Sequence, residues 1–421
     1  MAEGTTADDA LRHEIVGPWP ARTLHEGAHG PDLLRRAEIM AAGTLELQWQ
    51  PDFGYCSPNV ARYRWQWLWD SCFNAIIFGA LGDERGVTEL SSLMALQNEE
   101  GFVPHMGYQA HPETALPLWG RSGASSVTQP PMYGHAAVEL DRMGFSVDAL
   151  IEPVIAGLSF FATHRRGTNG LVRIVHPWES GADNTPRWDR FCPGGFDKER
   201  WLEHKKDLVR SVECTAAGSS IKNPAFDVYP AQFNALVAFN AKVVAVHFGV
   251  PELARFAEEI TEALDQTWRD DLETWVDVDE SGQPLGTEPT IDALLGVLVD
   301  HAPERVAAVS SQLWSDAAFG APYGPCSVSR SSGRFDSTGY WRGPGWPHLN
   351  YLHWVAMDQL GRHDDADRLA SQLLAASVAS SFGEYVEPFT GEPLGAQPQT
   401  WAGLCIVPSH RAVRSEQPSD G

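Results

Sequence analysis

The run HPWESGADNTPRWD, residues 176–189, combines carboxylates and indole rings in a stretch that fits neither a helix nor a strand pattern. Gly181 permits a left-handed backbone, and Pro177 and Pro186 fix the backbone where they stand. Loops that carry polar and aromatic side chains are common carriers of function. The run therefore predicts either a rigid corner or a loop that holds a reacting carboxyl group.

Four further segments have a similar character, and most of them mix aromatic residues with a carboxylate, amide or guanidinium next to Gly or Pro. They are residues 63–70 (YRWQWLWD), 125–131 (SSVTQPP, which has only the amide and the prolines), 340–347 (YWRGPGWP) and 382–395 (FGEYVEPFTGEPLG). Aromatic platforms beside hydrogen-bonding groups suit a ligand with apolar faces and a rim of hydroxyls. These segments indicate a sugar-binding site.

Hydrolysis of a glycosidic bond usually needs two carboxyl groups, one protonated and one ionised. The sequence offers six candidates in these segments: Asp70, Glu179, Asp183, Asp189, Glu384 and Glu387. Asp183 follows Gly-Ala in a turn and Glu384 follows Gly383 in an aromatic loop, and we favour these two as reacting groups.

The other four acids also have structural interpretations. Asp70 would cap a helix that it opens, or bind sugar hydroxyls. Asp189 is expected to pair with an arginine, and Glu387 to brace its loop. Glu179, next to Trp178, either braces the turn or contacts the ligand.

Other chemistries lack support in the sequence. There is no Walker-type phosphate loop, no HExxH and no G-x-S-x-G elbow, and the histidines do not cluster at metal-ligand spacing. His105 and His176 are interpreted as hydrogen-bonded structural residues. We expect neither a cofactor nor a metal.

Composition restricts the partners. The chain has 421 residues, 43% of them hydrophobic, and a formal net charge of -24, which argues against nucleic acid and anionic membranes. Residues 1–14 lack a basic and an apolar signal-peptide region, and no apolar run is long enough to span a membrane. Six separated cysteines are expected to be reduced thiols, so we expect a cytoplasmic protein with a small-molecule ligand. The sequence is compatible with a homo-oligomer.

Helical periodicity recurs in pairs between the termini. The predicted helices are residues 71–81 and 87–97, 133–142 and 148–164, 226–248 and 252–268, 289–299 and 303–313, and 347–360 and 364–380. Little of the sequence alternates with period two. The pattern predicts an all-α fold, a closed helical toroid whose loops at one end carry the chemistry. We expect one catalytic domain over residues 16–412 with an inserted cap over 187–224, and flexible segments at 1–15 and 413–421.

WESGADNTPRWD, YWRGPGWP and EYVEPFTGEPLG, in this order, with W-x-W-D and NEEGFVPH upstream, resemble glycoside hydrolase family 63. Within the family the chain is most similar to the bacterial branch of mannosylglycerate and glucosylglycerate hydrolases. The resemblance runs from about residue 63 to 401, except in residues 198–224. It implies an (α/α)6 barrel of the six-hairpin glycosidase type and inversion at the anomeric carbon.

The resemblance also implies roles for residues. Asp183 corresponds to the general acid and Glu384 to the general base, which in an inverting pair stand roughly 6.5–9.5 Å apart. A protonated Asp183 would need partial burial or a negative neighbour, which Glu179 or Asp70 could supply. The remaining correspondences concern ligand binding: Trp69 and Asp70 in the sugar pocket, Tyr63 and Gln129 at ligand contacts, Tyr340, Trp341 and Trp346 in an aromatic wall, and Gln399 as a binding amide. Trp178 and Glu179 complete the predicted site, and Arg342 is expected to brace the loops, with Glu387 as its partner.

Three departures from the family pattern, Ala182, Gly345 and Val386, predict a reshaped pocket. The family resemblance also implies a mobile loop near the middle of the chain. Here that region contains Lys205, Lys206 and Arg210, which we interpret as an exposed helix face in preference to a carboxylate-binding group.

The sequence thus predicts an inverting, metal-independent α-glycosidase acting on a small α-glucoside or α-mannoside, with a 2-O-glycosyl glycerate as the leading substrate. A short neutral α-glucoside is the alternative within the same class. A non-catalytic sugar-binding protein would more simply have lost Asp183 or Glu384. A phosphorolytic or transferring enzyme would need a phosphate site in place of the base.

Overall fold

The computed structural model describes residues 31–410, and the predicted terminal segments 1–15 and 413–421 lie outside the described residues. Twelve segments of the described chain form two rings. The inner ring consists of Leu68–Ala80, Tyr133–Arg142, Ala231–Phe248, Ile291–Leu298, Pro347–Gln359 and Thr400–Ile406. Each inner segment contacts the next, and the last contacts the first, so the ring is closed.

The outer ring consists of Pro31–Gln48, Arg85–Met94, Asp148–Phe160, Pro251–Asp265, Pro303–Trp314 and His363–Ala379. From Leu68–Ala80 onward, inner and outer segments alternate along the chain. The helix Pro31–Gln48 packs on Thr400–Ile406 and completes the sixth pair. The predicted all-α toroid is therefore confirmed.

Burial differs between the rings as their sequences require. The inner helix Ala231–Phe248 is apolar around most of its circumference, and most of its side chains are buried. The outer helix Pro251–Asp265 buries only the stripe Leu253, Phe256, Ala257, Ile260 and Leu264, whose spacing follows the helical period. In the described chain, the larger of two hydrophobic cores, to which both rings contribute, includes residues from Ala37 to Val407.

Two inner segments, Ile291–Leu298 and Thr400–Ile406, are 3-10 helices rather than α-helices. Each contains a glycine at a close contact. A Cβ on Gly296 would lie 2.4 Å from the Trp275 ring, and one on Gly403 would lie 3.0 Å from Ile77. The glycines let these segments approach their neighbours closely.

The remaining helices lie between the ring segments: the 3-10 turns Pro112–Ala115, Pro177–Ser180 and Pro186–Phe191, the helices Leu116–Trp119 and Lys198–Val209, and the π-helical turn Phe161–Arg165. Strands are minor in the described residues, as predicted. They form five antiparallel pairs: Trp49–Gln50 with Tyr55–Cys56, Gln66–Trp67 with Met106–Gly107, Glu213–Cys214 with Ser220–Lys222, Trp268–Arg269 with Thr274–Trp275, and Tyr385–Val386 with Pro393–Leu394.

Within residues 31–410, no helix combines the length and apolar character that crossing a membrane requires. All six cysteines are unpaired, and five of them are buried as packing groups.

Candidate active site

The candidate site residues stand where the chain enters the inner segments. Asp70 is the third residue of Leu68–Ala80, and Gln399 directly precedes Thr400–Ile406. Because inner and outer segments alternate, the inner segments run in one direction, so the loops that precede them meet at one end of the barrel. The prediction that Asp70 caps its helix was wrong, since the helix begins three residues earlier than predicted and Trp67 is its N-cap.

These loops enclose a cavity with about 690 Å³ of empty space, part of it open to solvent. Its wall combines three carboxylates, two amides and a set of rings: Pro58, Tyr63, Trp67, Trp69, Asp70, His105, Gln129, Trp178, Gly181, Asp183, Tyr340, Glu384, Gln399 and Trp401. The two favoured acids, Asp183 and Glu384, therefore line the same cavity.

Glu384 is held by donors on both carboxylate oxygens. The Tyr63 hydroxyl donates to Oε1 at 2.9 Å, and the Ala396 amide donates to Oε2 at 2.7 Å. The indole Nε1 of Trp401 fixes the Glu384 carbonyl at 2.8 Å. Burial raises the pKa of Glu384, while the hydrogen bonds from Ala396 and Tyr63 lower it.

Asp183 follows a 3-10 turn that ends at Gly181 in the left-handed conformation, with φ of 72°. A Cβ at Gly181 would lie 2.3 Å from the Trp69 ring, so only glycine lets the loop press on this indole. The Trp201 indole donates to the Asp183 carbonyl at 2.8 Å. The Asp183 carboxylate forms an ion pair with Lys205.

Asp70 and Gln399 form the polar part of the cavity away from the acid loop. The Gln399 amide donates to Asp70 Oδ1 at 3.3 Å, and its own carbonyl oxygen is buried without a partner among the described residues. Burial, followed by the charge of Glu384, raises the pKa of Asp70 well above its usual value. Both groups are available to the hydroxyls of a ligand.

The structure places most of the other predicted binding residues in the wall. Gln129 lines the cavity and also accepts a hydrogen bond from the Trp69 amide at 3.4 Å. Tyr63, Trp178 and Tyr340 line the cavity as well.

Glu179 is placed differently from its predicted ligand-binding position. It is fully buried outside the cavity wall, and Arg165 donates to both of its oxygens, at 2.9 and 2.7 Å. The backbone amides of Thr128 and Val175 also bind this carboxylate, at 3.0 and 2.7 Å. Glu179 therefore braces the turn, because its hydrogen bonds are taken up within the protein.

Trp341 and Trp346 do not line the cavity either. Their rings stack on each other with centroids 3.7 Å apart, and both side chains are buried behind Tyr340, which contacts Trp346 edge to face. Tyr340 forms the cavity-facing layer of the predicted aromatic wall, and the two tryptophans support it.

The three departures from the family pattern also lie outside the cavity wall. Gly345 and Val386 exchange two backbone hydrogen bonds of 3.0 Å. The Ala182 carbonyl accepts from the Trp188 indole at 3.0 Å. These residues set the loop backbones rather than the surface that faces a ligand.

The bracing contacts differ in part from prediction. Asp189 pairs with arginines, as expected: Arg342 donates two hydrogen bonds of 2.9 Å, and Arg334 forms a further ion pair at 3.1 Å. The expected Arg342–Glu387 pair is not among the ion pairs of the described residues. Glu387 instead accepts from the amides of Phe389 and Thr390 and braces its own loop.

The helix Lys198–Val209 contains a residue whose position was predicted wrongly. Lys205 is buried and contacts Asp183, whereas Lys206 and Arg210 are exposed and pair with Glu203 and Asp207. The charged sequence of the helix indicated an exposed face, and it gave no sign that one lysine points inward.

The sequence gave weaker signals for Trp67, His105 and Trp401, which also line the cavity. His105 bonds Ser125 at 2.6 Å, so its structural role and a place in the wall coexist. His176 is structural, because its ring bonds the Trp178 amide and the Lys205 carbonyl. Among residues 31–410, no group of three or more His, Cys, Asp or Glu side chains is arranged to hold a metal.

A helical double ring with two candidate carboxyl groups in one aromatic cavity is the arrangement of a glycoside hydrolase. Residues 63–402 match the family described as the mannosylglycerate hydrolase MGH1-like glycoside hydrolase domain. The chain belongs to this family and is a glycoside hydrolase, which confirms the resemblance to family 63.

Two curated relatives are each 26% identical to the chain. One is the glucosylglycerate hydrolase of Mycolicibacterium hassiacum, with 82% of this chain and 91% of the relative aligned. The other is the mannosylglycerate hydrolase of Thermus thermophilus, with 83% and 95% aligned.

The fold is similar to that of a GH63 mannosylglycerate hydrolase from Thermus thermophilus in complex with Tris and D-glycerate. The TM-score is 0.76 at 22% identity, covering 88% of this chain and 99% of that chain. The likeness supports the (α/α)6 barrel.

The structural role of Glu179 predicts a loss of stability when its cation is removed. Arg165→Met leaves a buried carboxylate unpaired, and we expect the free energy of unfolding to fall by about 3–5 kcal/mol in urea denaturation. The matched control is Arg166→Met, whose pair with Glu259 is partly exposed, and it should cost less than about 1 kcal/mol. Equal losses in the two variants would contradict the assignment.

Proposed function

We propose that this glycoside hydrolase cleaves 2-O-α-glucosyl or 2-O-α-mannosyl glycerate with inversion of the anomeric carbon. The observation that carries the proposal is the presence of Asp183 and Glu384, from two separate loops, in one cavity. Family membership and the names of both aligned relatives support a glycosyl glycerate as the substrate.

Glu384 has the features that a general base requires. Its oxygens are fixed from two sides by Tyr63 and Ala396, and it lines the same cavity as Asp183. In the proposed reaction Glu384 accepts a proton from water as the water oxygen bonds to the anomeric carbon. The hydrogen bonds keep the carboxylate oriented before the substrate arrives.

Asp183 is the proposed general acid. Its proton passes to the glycosidic oxygen as the bond from this oxygen to the anomeric carbon breaks, which releases the aglycone as a neutral hydroxyl group. The left-handed turn at Gly181 and the Trp201 indole fix the backbone of the acid loop. Solvent then restores the proton to Asp183 and removes the one on Glu384.

The sugar is proposed to lie against Trp69 and Trp401, whose rings meet edge to face with centroids 6.1 Å apart. Asp70 and the free carbonyl oxygen of Gln399 would accept hydrogen bonds from its hydroxyls. A buried acceptor that loses its partner is costly, so this corner favours a hydroxylated ring over an apolar one.

The acid and the base are separable with an activated substrate. Asp183→Asn should abolish hydrolysis of glycosyl glycerates but retain hydrolysis of α-glucosyl fluoride, because fluoride leaves without a full proton transfer. Glu384→Gln should lose both activities. Losses of about 10²-fold or more are expected for each missing proton transfer. Retention of glycerate hydrolysis by either variant would refute the assignment.

Inversion predicts the anomer of the product. Proton NMR in the first minutes of the reaction should show the β-hexose released from the α-glycoside, before mutarotation equilibrates it. The α-anomer as first product would contradict a one-step displacement by water.

The Tyr63 hydrogen bond predicts a change in pH dependence. The base must be ionised, and the Tyr63 hydroxyl lowers the pKa of Glu384. In Tyr63→Phe this pKa rises, so the acid limb of the kcat/KM profile moves to higher pH. The control is Tyr385→Phe, because the same hydroxyl group is removed there from a tyrosine that makes no hydrogen bond to Glu384 in the described chain. An unmoved acid limb in Tyr63→Phe would exclude Glu384 as the group that titrates there.

A further inference from the structure

An anionic aglycone poses an electrostatic problem in this cavity. Three carboxylates line it, and no Lys or Arg appears among its lining residues in the described chain. His105 is neutral at physiological pH because burial lowers its pKa to about 3. A glycerate carboxylate would therefore need a cation from just beyond the wall.

In the described chain, Arg62 and Lys205 are cations in contact with residues that line the cavity. Arg62 is exposed at the rim, with its guanidinium 5.6 Å from the centre of the Tyr63 ring. Lys205 is buried, with only 3% of its side chain exposed, and it is paired with Asp183. Lys205, the more deeply buried of these two cations, is thus the ion-pair partner of the proposed general acid.

The Lys205 ammonium is surrounded by polar and aromatic partners from the protein. It donates to Asn184 Oδ1 at 2.7 Å in addition to Asp183. It also lies 5.8 Å from the ring centres of Trp178 and Trp201. Because Trp178 and Asp183 both line the cavity, the ammonium is in contact with side chains of the cavity wall.

The ion pair conflicts with the role of Asp183 in the reaction. An ammonium group at hydrogen-bonding distance favours the ionised form of a carboxylate, whereas a general acid must carry a proton. While Lys205 bonds Oδ2 of Asp183, this oxygen is not free to donate to a glycosidic oxygen. The reaction requires something that draws the lysine away.

We propose that Lys205 makes the general acid dependent on the charge of the aglycone. This inference rests on the proposed function. The carboxylate of the bound glycerate takes the ammonium from Asp183, and Asp183 then gains one proton from solvent. A neutral aglycone leaves the ion pair intact. A glycoside with such an aglycone is therefore cleaved slowly because Asp183 stays paired with Lys205, and not because the aglycone fails to fit.

The test compares glycosides that differ in one charge: the glucosyl and mannosyl derivatives of D-glycerate and of glycerol. The wild-type enzyme should prefer the glycerates in kcat/KM. In Lys205→Met, kcat/KM on the glycerates should fall and kcat on the glycerol derivatives should rise. The two changes should together reduce the preference by roughly 10- to 100-fold. A purely structural lysine would lower both activities.

Three comparisons make the result specific. Lys206→Met, on the neighbouring exposed residue, should keep the wild-type preference, and so should Arg62→Met. Lys205→Arg retains the cation and should keep the glycerates preferred. Hydrolysis of α-glucosyl fluoride, which does not depend on the acid, should be retained in Lys205→Met and shows that its fold is intact.

The outcomes separate the two proposals. If the wild-type enzyme cleaves α-glucosyl fluoride, and cleaves the glycerate and glycerol glycosides with equal kcat/KM, the role of Lys205 is refuted and the glycosidase assignment stands. The role is also refuted if Lys205→Met loses every activity in parallel, or if Arg62→Met removes the preference instead. If the wild-type enzyme cleaves none of these compounds, the proposed function fails, and the inference fails with it.

Discussion

The cavity wall holds two buried carboxylates and one partly buried carboxylate, and a carboxylate removed from water must find donors within the protein. Glu384 takes them from Tyr63 and Ala396, Asp183 from Lys205, and Asp70 from Gln399. Each carboxylate bonds a group from a distant part of the chain or from the far side of a hairpin. Desolvation of the acids therefore ties together loops that enter different inner segments, and the barrel supplies the frame on which these loops meet.

The same constraint extends behind the cavity. Arg187 is buried between Asp277 and Asp292, and Arg342 grips Asp189 with two parallel hydrogen bonds. Arg187 lies on the loop that carries Asp183, and Arg342 donates to the carbonyl of Asn184 in the same loop. These ion pairs therefore hold the backbone of the loop that carries the proposed acid. Bidentate pairs of this kind fix orientation as well as distance.

Much of this arrangement could be predicted from the sequence, and the failures have a common cause. Periodicity located the helix pairs because each outer helix buries one stripe, and Gly181 and Gly383 marked the loops that carry Asp183 and Glu384. Glu179 and Trp341 have equally suggestive neighbours, but sequence context does not say towards which side of a loop a side chain points. Lys205 was missed because a helix rich in Lys and Glu is usually solvated on its charged face. Because Lys206 and Arg210 are exposed on this helix, the sequence did not distinguish Lys205, which points inward.

The closure of the barrel has a consequence for when the protein becomes active during its synthesis. The Tyr63–Glu384 and Asp70–Gln399 hydrogen bonds join residues 321 and 329 positions apart, and the final inner segment packs on the first described helix, Pro31–Gln48. Domains acquire structure as they are synthesised from the N-terminus, but contacts of such high sequence separation form only when both partners exist. A growing chain with most of its helices already made still lacks Glu384, the proposed base, and Gln399, the partner of Asp70. The wall of the cavity is thus complete only after the segment from Glu384 to Ile406 has left the ribosome.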